Sequence, residues 1–154
     1  MGLTPEALFS HSSSLATAGW VILVLGPRSI GWLNLFPRLL IPAILAAVYT
    51  AVALSRFSET GGGFGSLADF TVFMTNEWGL LAGWVHYLAF DLIVGCWAAA
   101  RLDVAGVTRI VQVPVLILVF MLGPIGYLLT ILIVYGLSGS AWLEKQATAE
   151  RTIL

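Results

Sequence analysis

Trp78-Gly79-Leu80-Leu81-Ala82-Gly83-Trp84-Val85-His86-Tyr87-Leu88-Ala89-Phe90-Asp91-Leu92-Ile93-Val94-Gly95 is apolar for long enough to approach the thickness of a bilayer, yet it holds a histidine and an aspartate. A membrane-crossing helix needs about 20 predominantly apolar residues. Extended at both ends, this stretch predicts a spanning helix over residues 77–100. Three more segments of the same kind flank it, over residues 8–26, 36–54 and 111–137. The first is weak in its N-terminal half, where His11, Ser12, Ser13 and Ser14 precede the apolar run, and it ends at Pro27. The second carries Arg38 near its start and Pro42.

Composition agrees with this reading. Of 154 residues, 59% are hydrophobic and only 10% charged, too little polar surface for a water-soluble domain of this length. The mean hydropathy is +0.97. The net charge of −1 and the lack of a Lys/Arg run offer no face for nucleic acid. A single cysteine, Cys96, excludes an internal disulfide and any multi-cysteine metal site. Its reading is a small packing residue. Met1 to Ser10 contains no Lys or Arg, so a cleavable signal is not expected.

The connections predict the topology. Residues 26–34 and 101–109 form short loops, which favour antiparallel neighbours. The middle connection, 55–76, opens with Gly61, Gly62, Gly63 and Gly65. Ser66 followed by Asp69 predicts a helix start, and the segment after it, 67–74, is too short to span. The expected fold is therefore all-α, an up-down bundle of about four transmembrane helices in one domain over 1–140, followed by a polar tail over 141–154. Arg28, Arg38, Arg101 and Arg109 fall on one side, and Arg56, Lys145 and Arg151 on the other. The short-loop bias places the first group in the cytoplasm and both termini outside.

Asp91 lies near the middle of its span, where an ionised carboxylate costs roughly 2.5–3.5 kcal/mol on insertion scales. Ionisable side chains at such depth usually serve function and face the bundle interior. His86 lies about 7 Å away along the axis, but five residues of helix turn it about 140° from Asp91. The two therefore address opposite flanks of one wide inward face. Tyr87, four residues before Asp91, shares its side and can bond to it. The plainer alternative is that Asp91 accepts bonds from Tyr87, a Ser, a Thr or an Arg, and simply locks helices together. Glu77, in the first helical turn, suits the helix dipole and is the weakest of the acidic candidates. His11 reads as interfacial.

Other features read as architecture first. Gly79 and Gly83 form a G-x-x-x-G pair at which another helix, including one from a second copy, can approach closely. Gly123, Pro124 and Gly126 interrupt the fourth span, and Pro124 offers no amide to the carbonyl of Phe120. That is either a tolerated kink or one wall of a groove beside the third helix. Trp20, Trp32, Trp78, Trp97 and Trp142 fall near helix ends, as interfacial belts require. Trp84 sits one turn inside, where it either packs or, with Phe90, flanks a ligand. No His-x-x-x-His pair, phosphate loop or nucleophile elbow is present, and two histidines are too few for a histidine-rich iron site.

Ala82-Gly83-Trp84-Val85-His86-Tyr87-Leu88-Ala89-Phe90-Asp91-Leu92, followed by Gly95 and Trp97, resembles the ABA4-like membrane family. So do Phe120-Met121-Leu122-Gly123-Pro124-Ile125-Gly126 and the earlier Gly62-Gly63-Phe64 with Ser66-Leu67. Plant members are implicated in making neoxanthin from violaxanthin in plastid membranes, an isomerisation in which an epoxide opens and an allene forms. The resemblance thus implies a carotenoid or related isoprenoid as ligand and an isomerase needing no metal or redox cofactor. Trp84, Phe90, Phe120, Gly123, Pro124 and Glu77 are the candidate ligand-binding residues. An acid must protonate the epoxide oxygen and a base must remove a carbon-bound proton. His86, Asp91 and Tyr87 are groups of the right kind. Without a transit peptide, a short bacterial relative in the inner membrane is expected. Two other functions compete: a non-catalytic pigment- or lipid-binding or assembly subunit, and a proton or ion pathway around Asp91 and His86.

Overall fold

The computed structural model describes residues 4–153, with side chains from 4 to 136. The polar tail expected over 141–154, including Trp142, Lys145 and Arg151, has its side chains outside the described residues. The described chain is all-helical. Four stretches are long and apolar enough to cross a membrane: Pro5–Leu25, Gly31–Glu59, Glu77–Val104 and Arg109–Gly136. Packing groups the chain into two compact units, 1–93 and 94–154.

In the first unit, α1 (Pro5–Leu25) begins three residues earlier than expected. The Thr4 hydroxyl accepts from the Ala7 amide at 3.3 Å, Pro5 occupies the first helical position, and Glu6 lies in the first turn. These three stabilise a helix N-terminus together. They carry the helix through the serine run; Ser12 is buried within it.

The second span is longer than 36–54 at both ends. It comprises α2 (Gly31–Leu35), a wide π turn (Phe36–Leu40), α3 (Ile41–Arg56) and a 3₁₀ turn (Phe57–Glu59). In the π turn the Ile41 amide reaches back to the Phe36 carbonyl, one residue further than in an α-helix, so the helix widens here without ending. The loop before it is tied by Asn34, whose buried amide donates to the carbonyls of Ile30, Arg28 and Pro27 at 2.7, 3.0 and 3.3 Å.

The short helix α4 (Leu67–Thr75) forms where expected. The Ser66 hydroxyl accepts from the Asp69 amide at 3.1 Å and donates to the Asp69 carboxylate at 2.7 Å. Gly61 adopts φ +68°, a conformation most side chains avoid. Asn76 then caps α5 (Glu77–Val104). Its Oδ1 accepts from the Trp78 amide at 2.9 Å, while its Nδ2 donates to the Glu59 carbonyl at 3.3 Å.

Small residues let these helices close on one another. A Cβ on Gly79 would collide with the Phe73 carbonyl, and one on Gly83 would lie 3.4 Å from the Met74 methyl. Within the chain, both glycines of the G-x-x-x-G pair thus receive α4. A Cβ on Gly19 would lie 2.7 Å from Leu92 Cδ2, so α1 and α5 also approach closely. In lipid, where apolar burial gives no net drive, such close packing is a main source of helix association. Ala16, Leu45, Leu81, Val85 and Leu92 form the buried centre.

In the second unit, α5 ends in a Schellman turn. The Val107 amide donates to Leu102 and the Gly106 amide to Asp103, both at 3.0 Å, with Gly106 at φ +73°. Buried Gln112 donates to Asp103 Oδ1 at 2.7 Å and to the Val107 carbonyl at 2.8 Å, fixing the turn into α6 (Arg109–Ile153). Helix α6 breaks at Leu122 (φ −143°, ψ 55°), two residues before the proline expected to bend it. The clash of the Pro124 ring with the turn before it is relieved upstream. At Gly126, a Cβ would collide with the Val119 backbone, so glycine permits the break.

Candidate functional site

Two faces of α5 carry the chemistry, and they differ. On the first, α3 presents Tyr49, Val52, Ala53 and Arg56, spaced i, i+3, i+4, i+7 so that all lie on one stripe. Against them α5 presents Trp78, Ala82 and His86, at four-residue intervals. These residues line two cavities of about 490 Å³ and 340 Å³, which share Tyr49, Phe64, Phe73 and Ala82 in their walls. Together they form one groove, in the size range of small-molecule sites.

The groove has two unlike ends. At one, Arg56 lies 4.6 Å over the Trp78 ring and is held by Glu59 at 2.9 and 3.1 Å; Ser58 and Thr60 complete that end. Arginine and tryptophan together mark an interfacial depth. At the other end, Gly83, Met74 and Phe70 surround His86. The eight residue steps from Trp78 to His86 span about 12 Å of helix, so the groove runs from the interface into the hydrocarbon region. The His86 ring stacks on Phe90 at 4.6 Å and meets Tyr49 at 5.4 Å. His86 is exposed on the open side of this groove rather than turned inward as expected. The flanks of α4 and α3 leave that side uncovered.

On the second face, the Trp84 indole donates to the Ser13 hydroxyl of α1 at 2.9 Å and stacks on Phe9 at 5.2 Å and on Tyr87 at 5.6 Å. Tyr87 hydrogen-bonds Asp91. Asp91 is buried, 9% exposed, and its second carboxylate oxygen has no hydrogen-bond partner among the described residues.

The structure thus joins Tyr87 to Asp91 and separates both from His86, as the 140° offset required. Trp84 stands with the Asp91 face and does not line the groove. Phe90 lies beside the groove, stacked on His86. Glu77 lines a different, shallow cavity of about 490 Å³ with Thr4, Glu6 and Phe9. Phe120, Gly123 and Pro124 lie at the α6 break in the second unit. Tyr49, Arg56, Phe64, Phe70 and Phe73 were missed by sequence reasoning. The α3 stripe is periodic, but nothing in its spacing names the helix it faces. Among the described residues no three metal-binding side chains come together.

No curated protein and no solved structure matches this chain. The ABA4-like family model, described as ABA DEFICIENT 4-like, matches residues 7–129. That stretch takes in the groove, the Tyr87–Asp91 pair and the α6 break, and the chain, a helical membrane protein, belongs to the ABA4-like family.

Proposed function

We propose that this protein is a membrane enzyme that isomerises a carotenoid or related isoprenoid by acid–base chemistry. The observation that carries this reading is the placement of His86, a proton-transfer group, in the wall of a groove otherwise lined mainly by aromatic and apolar side chains. Such a groove suits a lipophilic ring or polyene, and its open side suits entry from the lipid. His86 is the proposed catalytic residue: it removes the carbon-bound proton and, as the imidazolium, delivers it to the epoxide oxygen as the ring opens. Tyr87 and Asp91 act from the opposite face as positioning residues, fixing the rotation of α5 and therefore the aim of His86. The accompanying location is a bacterial inner membrane, with the short-loop arginines in the cytoplasm.

Turnover of an epoxy-carotenoid by purified protein in lipid nanodiscs tests this. Wild type converts it, and His86→Ala lowers the rate while retaining helical content. Equal rates for the two proteins would sink the reading. Saturable pigment binding without conversion would instead establish the non-catalytic binding subunit, which the same groove supports. One observation favours a proton path: the buried, unpartnered oxygen of Asp91. Proton flux into proteoliposomes that Asp91→Asn abolishes would establish it.

A further inference from the structure

The seam between α1 and α5 is polar on one side of Asp91 and sealed on the other. The two helices run parallel, since Ser13 meets Trp84 and, further along both, Gly19 meets Leu92. From Asp91 toward Glu77 this side of α5 carries the Tyr87 hydroxyl and the Ser13–Trp84 bond, and α1 adds buried Ser12. The seam ends there in the cavity of about 490 Å³ lined by Thr4, Glu6, Phe9 and Glu77. Toward the opposite end, Gly19 lies so close to Leu92 that a Cβ would fall 2.7 Å from its Cδ2, and both Leu23 and Leu92 are buried.

The occupant follows from what Asp91 lacks. One of its carboxylate oxygens is buried and has no hydrogen-bond partner among the described residues. A bare charge at that depth is costly, and the spans offer no cation to offset it. No Lys or Arg falls within residues 5–25, 39–55, 78–100 or 110–136. Of the titratable groups, Tyr87 faces Asp91, while His86 stands on the other face of α5. Helix α1 carries none between His11 and Leu25, the second span none between Arg38 and Tyr49, and α6 none between Arg109 and Tyr127. A hard metal ion needs about six oxygen ligands, and among the described residues no three metal-binding side chains come together. A proton needs a single free oxygen, which Asp91 Oδ2 provides.

We propose that Asp91 is a proton-binding site with one-sided access: Oδ2 gains and loses its proton through the Glu6–Glu77 mouth, and the Gly19–Leu92 contact closes the way to the far side. The mouth lies about 21 Å of helix from Asp91. Water that enters as α1 and α5 separate locally carries the proton between them, past the hydroxyls of Ser12, Ser13 and Tyr87. This goes beyond the isomerase reading and differs from a through-path. A dead-end site samples the acidity of one compartment without moving protons across the bilayer.

Dicyclohexylcarbodiimide enters lipid and adds to a protonated carboxyl, so it tests this on the full chain. Sealed proteoliposomes of each orientation are sorted, the side being read from the reaction of Ala68→Cys with an impermeant maleimide. Peptide mass spectrometry then measures the adduct on Asp91, with Asp91→Asn as the unlabelled baseline. With the Glu77 end facing the medium, acidifying the medium should raise the labelled fraction at least about 5-fold. With that end facing a buffered alkaline lumen, the same change should leave it within about 1.5-fold. Ser13→Leu fills the seam with an apolar side chain and should slow the response at least about 10-fold; circular dichroism checks that it folds. No adduct on Asp91 at any acidity, equal responses from both sides, a Ser13→Leu response as fast as wild type, or protection by sodium at constant pH would each overturn the proposal. Proton flux across the sealed vesicles would overturn the dead end. His86→Ala should label as wild type does, so this proposal and the isomerase reading fail separately.

Discussion

The two faces of α5 use similar residue types to different ends. The Asp91 face is closed: indole to serine, indole to phenol ring, and phenol to carboxyl form a chain that ties α5 to α1. The His86 face is open; among the described residues its imidazole is held by ring contacts with Tyr49 and Phe90. Polar groups in lipid that are bonded to a neighbouring helix hold structure, while one left accessible in an aromatic groove is available for a ligand. Depth alone therefore does not decide which ionisable residue is left accessible.

Substitutions on each face sharpen this contrast. The largest effect is expected from His86→Ala, which should reduce turnover by roughly 10²–10⁴-fold with little change in thermal stability, read side by side by pigment chromatography and circular dichroism. A comparable loss of stability would mean that the open face is structural after all. Next comes Gly79→Val. Its side chain must displace Phe73 and α4, costing about 3 kcal/mol, measured by denaturation in detergent, and groove binding should fall with it. Asp91→Ala should cost about 1–2 kcal/mol through the lost bond to Tyr87. Turnover should fall by less than in His86→Ala; an equal loss would erase the distinction between the faces. The smallest effect belongs to Ser13→Ala, about 0.6 kcal/mol for one interhelical bond in a membrane, seen as a small fall in melting temperature.

Much of the fold is legible in the sequence because bilayer thickness imposes a length on every span, and 77–100 or 36–54 can be found from that length alone. The start of α4 is legible for a local reason, the Ser66–Asp69 cap. The start of α1 was equally local: Thr4-Pro5-Glu6 is a cap, a first-turn proline and a dipole-favoured acid, outweighed in the reading by the serines that follow. The π turn at Phe36–Leu40 was not legible, since a proline near a helix start predicts an ending as readily as a widened turn. The site divides the same way. The angular offset of His86 from Asp91 follows from helical pitch and holds in the structure. That His86 faces Tyr49, and that α4 rather than another long helix packs on Gly79, depends on contacts between segments far apart in sequence, which no local pattern encodes.

The fit of Gly79 against the Phe73 carbonyl also orders the protein's biogenesis. Helix α4 leaves the ribosome before α5, yet the surface it packs on belongs to α5. At nine residues it is too short to be inserted as a span, so during synthesis it waits at the membrane surface until the third span has entered. The groove is therefore assembled late, after α1 and α3 are already in the bilayer. A nascent chain arrested before residue 86 lacks the His86 wall of the groove.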